Sequence, residues 1–85
     1  MASLRKTFEA ILSGRSDQNV RFNELCRVLI ALNFQRRTSG GHHIFWRDGI
    51  QEIINLQPLV GGGAKAYQVK QVRQVITKYG LRIES

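Results

Sequence analysis

Cysteine, proline and acidic side chains are all scarce in this chain, and each scarcity removes a class of answer. The single cysteine, Cys26, has no partner for an intramolecular disulfide. It falls in an apolar helical pattern and reads as a small buried hydrophobe, which fits a reducing compartment; the expected location is the cytoplasm. With one proline, Pro58, the composition is that of a globular chain and not a disordered one. The longest unbroken apolar run, Val28–Leu32, is far too short to span a bilayer, and the N-terminal stretch lacks an apolar signal-peptide core. The acidic residues Glu9, Asp17, Glu24, Asp48, Glu52 and Glu84 are scattered, so paired-carboxylate chemistry has no obvious seat.

What is present is positive charge. Thirteen Lys and Arg face six Asp and Glu, for a formal net charge of +7. Such a surface favours polyanions, because each neutralised phosphate releases condensed counterions, so nucleic acid is the leading partner class. The basic residues are dispersed along the chain and form no juxtamembrane cluster, which argues against a membrane surface. Eighty-five residues, 42% of them apolar, make one small globular domain.

Periodicity divides the chain. Ser3 is placed to cap a helix in which Leu4, Phe8, Ile11 and Leu12 share a face, and Gly14 ends it. Residues 14–20 read as a polar connector. A second helix covers Phe22–Leu32, with Phe22, Leu25, Cys26, Leu29 and Leu32 as its apolar stripe and Asn33 where a left-handed residue is wanted. Phe34–Thr38, His42–Arg47 and Ile50–Gln57 are strand candidates, the last two joined by an Asp48-Gly49 hairpin signal. Pro58 stops the third strand, and Gly61–Gly63 reads as a mobile loop. A last helix spans Tyr67–Tyr79, with Val69, Val72, Val75, Ile76 and Tyr79 inward, Arg73 among the surface residues, and Gly80 as C-cap with Leu81 packing back. The expected fold class is α+β, a three-stranded antiparallel sheet with helices on one face.

The stretch TSGGHHIF, Thr38–Phe45, holds the only two histidines. Neighbours on a strand point to opposite faces, so His42 and His43 are poorly placed to share a metal ion, and no acidic residue lies beside them. One histidine can instead act as general acid or base on RNA, whose 2′-hydroxyl supplies the nucleophile, with Arg36, Arg37, Arg47, Lys65 and Lys70 as candidates for the phosphate charge. The alternative is two ordinary strand histidines, one packed and one solvated. Trp46 is either a base-stacking platform or a half-buried sheet residue. Lys65, at the entrance of the last helix, suits an anion or is simply solvated.

The run Phe22–Leu29, the segment Gly40-Gly-His-His-Ile-Phe45, Asp48-Gly49 and the basic stretch from Lys65 through Arg73 to Gly80-Leu81 together resemble HicA, the family of small mRNA-interferase toxins of bacterial type II toxin–antitoxin pairs. The resemblance covers residues 21–81. It implies a double-stranded-RNA-binding-like α-β-β-β-α domain over residues 21–85, with residues 1–20 as an added helix and connector. It further implies metal-independent mRNA cleavage without a cofactor, His42 as the catalytic residue, and Gly40, Gly41, His43 and the basic residues above as RNA contacts. Neutralisation by a HicB-type antitoxin is implied too, with DNA reached only through that partner. The chain departs from the family's Gly-Ser-His signature at Gly41, which stands where serine is usual; Ser39 or Thr38 are nearby substitutes for the hydroxyl. The rival reading is a non-catalytic RNA-binding module or an inactivated toxin.

Overall fold

Each helix boundary has a local cause. The Ser3 hydroxyl accepts the Lys6 amide at 3.1 Å and starts α1, Leu4–Ser13, which Gly14 ends in the left-handed region at φ +71°. After a 3₁₀ turn at Asp17–Asn19 comes α2, Phe22–Ala31; Asn33 then takes φ +70° and the Phe34 amide bonds back to the Leu29 carbonyl. Helix α3, Ala66–Tyr79, ends at Gly80 with φ +60°, and the Leu81 amide returns to the Ile76 carbonyl at 3.0 Å. The computed structural model describes residues 3–83, so Glu84 lies outside the described residues.

Between α2 and α3 lie β1 (Gln35–Ser39), β2 (His42–Trp46) and β3 (Ile54–Leu56), antiparallel in the order β1-β2-β3. The chain is therefore α+β, with three helices and a three-stranded antiparallel sheet. Arg36 pairs with Phe45 and Phe45 with Ile54, so these residues share one face. Phe45, Ile54 and Leu56 are fully buried there against Leu25, Leu29, Val69 and Val72. Burial of each such side chain favours folding by roughly 1.5–3 kcal/mol. On the opposite face Arg37, His42 and Asn55 are exposed and Ile44 and Trp46 half-buried, and among the described residues no helix covers them.

Helix α1 belongs to the same core, contributing Phe8 and Ile11. Its C-terminal end is tied to α3 by Arg73, whose guanidinium donates to the Ile11 carbonyl at 3.0 Å and to both Asp17 carboxylate oxygens at 2.9 and 3.1 Å. Arg73 is thus a half-buried connector and not the free surface residue its helical position suggested.

Two further expectations are corrected. The third strand is three residues long, because residues 50–53 leave the sheet. The Ile50 amide closes a turn on the Arg47 carbonyl, the Gln51 amide meets the Tyr79 hydroxyl, and Glu52 accepts from Lys78 and Tyr79 at 2.8 and 2.6 Å. Those two donors hold the Glu52 carboxyl at about 2, well below its ordinary value. Bonds to α3 thereby replace the ladder bonds this segment would have made.

The triple-glycine loop is pinned rather than mobile. The Gly62 amide closes a turn on the Leu59 carbonyl, the Leu59 amide bonds to Gly63, and the Gly62 carbonyl accepts from Phe22 at the start of α2. Gly61 and Gly62 have φ +96° and +92°, and a side chain at Gly62 would lie 2.6 Å from the Arg21 guanidinium. Glycine serves the turn and the close approach together.

Candidate functional site

The two histidines owe their different fates to strand parity. Ser39 pairs with His42 across a two-residue turn, Gly40-Gly41, in which Gly40 has φ +61°. This tight turn fixes the register and sends His42 to the open face and His43 to the helix face.

On the open face, His42 is exposed, and its Nδ1 lies 3.1 Å from Asn55 Oδ1 on β3. An amide oxygen only accepts, so with Asn55 in this orientation Nδ1 carries a proton, and in the neutral ring the lone pair is then on Nε2. A base oriented from behind by a hydrogen-bonded partner is the arrangement that proton-abstracting histidines need. Asn55 was not among the residues singled out from the sequence. The signal that finds it is cross-strand register: Asn55 pairs with Ile44, and its side chain therefore lies on the His42 face. Arg37, also paired with Ile44, supplies a guanidinium on this face.

His43 is built for a different purpose. Its ring meets Phe22 edge-on with centroids 4.9 Å apart, and Arg36 Nη2 lies 2.6 Å from its Nδ1. Arginine has no lone pair to offer, so Nδ1 is the acceptor and the ring is the neutral Nε2–H form. Partial burial, then the Arg36 charge, lowers the His43 pKa from 6.5. Arg36 also lies over the Phe45 ring, its Cζ 5.5 Å from the centroid. Arg36 and His43 form a packed pair on the helix side, away from His42.

A pH dependence follows from that pair. The unfolded chain binds a proton at His43 near pH 6.5, whereas the folded chain resists it. Stability should therefore rise with pH, and this contribution should fade as pH falls through 6.5 toward the lowered folded value. Urea midpoints at pH 7.5 and 5 should differ in that direction, and His43→Gln should flatten the difference. A midpoint that rises on acidification in this range would contradict the packed, neutral ring.

The remaining candidates are distributed. Gly41 adjoins Gln57, whose Nε2 would be 3.4 Å from a Cβ at position 41. The Gln57 amide in turn donates to Gln68 Oε1 in the first turn of α3, which brings Lys65, the N-cap residue of that helix, to the hairpin end of the sheet. Arg47 sits at the far end of β2, about 16 Å from His42 along the strand. It donates to the Leu32 carbonyl at 3.0 Å and so satisfies the end of α2. Lys70 is exposed on α3 between the buried Val69 and Val72, turned outward from the core that separates it from the open face. The structure thus puts Arg37 and His42 on the open face with Gly40 and Gly41 in the turn at its end, leaves Arg36, His43 and the N-cap Lys65 on the helix side, and places Arg47 and Lys70 farther off.

Burial raises the Cys26 thiol above its ordinary value, with Arg36 opposing in part, which suits a core residue. Among the described residues no group of three or more His, Cys, Asp or Glu side chains comes together, and no helix is long and apolar enough to cross a membrane. No family model, curated protein or solved structure matches the chain.

Proposed function

We propose that this protein is a metal-independent endoribonuclease of the HicA type, the toxin of a type II toxin–antitoxin pair. The observation that carries the reading is the His42–Asn55 hydrogen bond on an open sheet face that also carries Arg37, with the His42 ring exposed. The sequence resemblance at Gly40–Phe45 and the α-β-β-β-α order of residues 22–79, as in a double-stranded-RNA-binding-like domain, support it.

In the proposed reaction His42 Nε2 removes the proton from a ribose 2′-hydroxyl. O2′ attacks the adjacent phosphorus, the bond from phosphorus to the 5′-oxygen breaks, and that oxygen takes a proton from solvent. The products are a 2′,3′-cyclic phosphate and a 5′-hydroxyl. Arg37, on the same face as His42, offsets the charge that builds on the phosphate. The test is cleavage of RNA by wild-type protein and His42→Ala with a chelator present, with the ends of the fragments analysed. Equal cleavage by both proteins would overturn the reading. A HicB-type antitoxin covering this face is the partner the proposal implies.

Gly41 offers a second check. Its φ lies outside the left-handed region, and an added Cβ would meet only the Gln57 amide, at 3.4 Å. Serine is therefore accommodated, and Gly41→Ser should change stability by less than about 1 kcal/mol while RNA cleavage holds or increases. Gly40→Ser should cost more, roughly 1–2 kcal/mol, because Gly40 is left-handed at φ +61°. Thermal unfolding of the two variants measures the contrast, and equal destabilisation by both would contradict the turn geometry.

A further inference from the structure

The open face carries more than His42. Arg37, Ile44, Trp46 and Ile53 line a shallow depression farther along the sheet, with Ile53 65% exposed. An apolar patch left open on a sheet and edged by a guanidinium is characteristic of a binding surface. We propose that this depression is a base-stacking subsite, in which an unpaired RNA nucleobase flanking the His42 centre lies against the Trp46 indole. The proposal rests on the RNA-cleavage reading of His42 and adds to it a place where the substrate is held.

Three observations select RNA as the occupant. First, the chemistry is that of single-strand readers, which combine an aromatic platform for the base with a cation for the backbone. Arg37 provides the cation. Second, no carboxylate stands among the strand residues of this face, which are Gln35, Arg37, Ser39, His42, Ile44, Trp46 and Asn55. Glu52, the acidic residue next to Ile53, is drawn to Lys78 and Tyr79 on α3. A polyanion lying on the strands of this face therefore meets the Arg37 guanidinium and no carboxylate, the exposed Asp48 standing beyond the end of β2 in the turn that follows. Third, His42 and Trp46 lie on the same face of the central strand, about 13 Å apart along it. One strand of RNA laid along β2 meets both, the reacting ribose at one end and a flanking base at the other.

That geometry also constrains the substrate. In a duplex the faces of the bases are stacked on one another and hidden, so an indole can stack only on a base that is unpaired. Residues 43–45 of β2 are paired on both sides and Trp46 is paired with Gln35 of β1, so the platform belongs to the sheet before RNA arrives.

Trp46 is the single tryptophan of the chain, so its fluorescence reports on the subsite directly. The His42→Ala protein, which prevents turnover, is titrated with a mixed-sequence single-stranded oligoribonucleotide, and separately with that sequence annealed to its complement. Single-stranded RNA should quench the emission and the duplex should not. Trp46→Ala in the same background should weaken single-strand binding by roughly 5- to 150-fold, with Trp46→Phe retaining most of the affinity and circular dichroism confirming the fold of both.

RNA binding with unchanged emission and unchanged affinity in Trp46→Ala would overturn the subsite and leave the cleavage reading standing. Equal quenching by the duplex would also overturn it. Failure of RNA to bind the protein in any form would overturn the cleavage reading itself. Quenching by an acidic protein partner, with none by RNA, would assign the face to protein and refute the proposal.

Discussion

RNA cleavage by His42→Ala is expected to fall by roughly 10²–10⁴-fold, the range lost when a positioned general acid or base is removed. The imidazole is exposed and, among the described residues, hydrogen-bonds to Asn55 alone, so circular dichroism and the unfolding midpoint should stay close to wild type. Asn55→Ala should produce a smaller loss. Asn55 acts through His42 by holding the Nδ1–H form, so its removal should also change the nitrogen-15 shifts that report the His42 tautomer. A merely structural contact would leave those shifts unmoved. His43→Gln should keep most of the cleavage activity while altering stability, because His43 is committed to Phe22 and Arg36. Should His43→Gln abolish cleavage with His42→Ala active, the division of roles between the two sheet faces would be inverted.

Phe45→Ala is expected to destabilise the fold by about 3–5 kcal/mol, a large share of the roughly 4–13 kcal/mol that holds a domain this size together. Phe45 is fully buried, sits at the centre of β2 between Arg36 and Ile54, and lies beneath the Arg36 guanidinium. Truncation removes the ring from the contact between sheet and helices and leaves a cavity that the flanking strands are too constrained to close. Ile44→Ala, one residue away on the half-buried open face, should cost less than half as much. Urea denaturation of the two variants compares adjacent positions on opposite faces. A larger loss at Ile44 would mean that the parity of β2 is reversed, and His42 would then be the packed histidine.

Much of this molecule is legible in the order of its residues because the causes are local. Ser3, Gly14, Asn33 and Gly80 mark helix ends through their own backbone and capping chemistry, and each behaves as its residue type dictates. The apolar stripe of α2 is equally local, since a spacing of 3.6 residues per turn needs no partner to be recognised. Where a boundary depends on a distant partner, local signals mislead. Residues 50–53 have the composition of a strand, yet Tyr79 and Lys78 draw them to α3. Gly61–Gly63 reads as a loose loop until the start of α2 is found to hold it. Arg73 reads as solvated until Asp17 and the end of α1 come within reach.

The candidate site divides along the same line. Strand alternation alone establishes that His42 and His43 face opposite ways, and the basic composition alone makes a polyanion the expected class of partner. Which histidine faces solvent was open, because apolar residues stand at both parities of β2: Phe45 on one and Ile44 and Trp46 on the other. The tertiary structure decides it, since the helices bury Phe45 together with Ile54 and Leu56 and leave Ile44 and Trp46 on the open side. Asn55 behind His42, Arg36 on His43 and Arg47 on the end of α2 are likewise contacts between residues distant in sequence. A sequence specifies the periodicity of each segment by itself, but the pairing of one segment with another is set by which faces can be buried together.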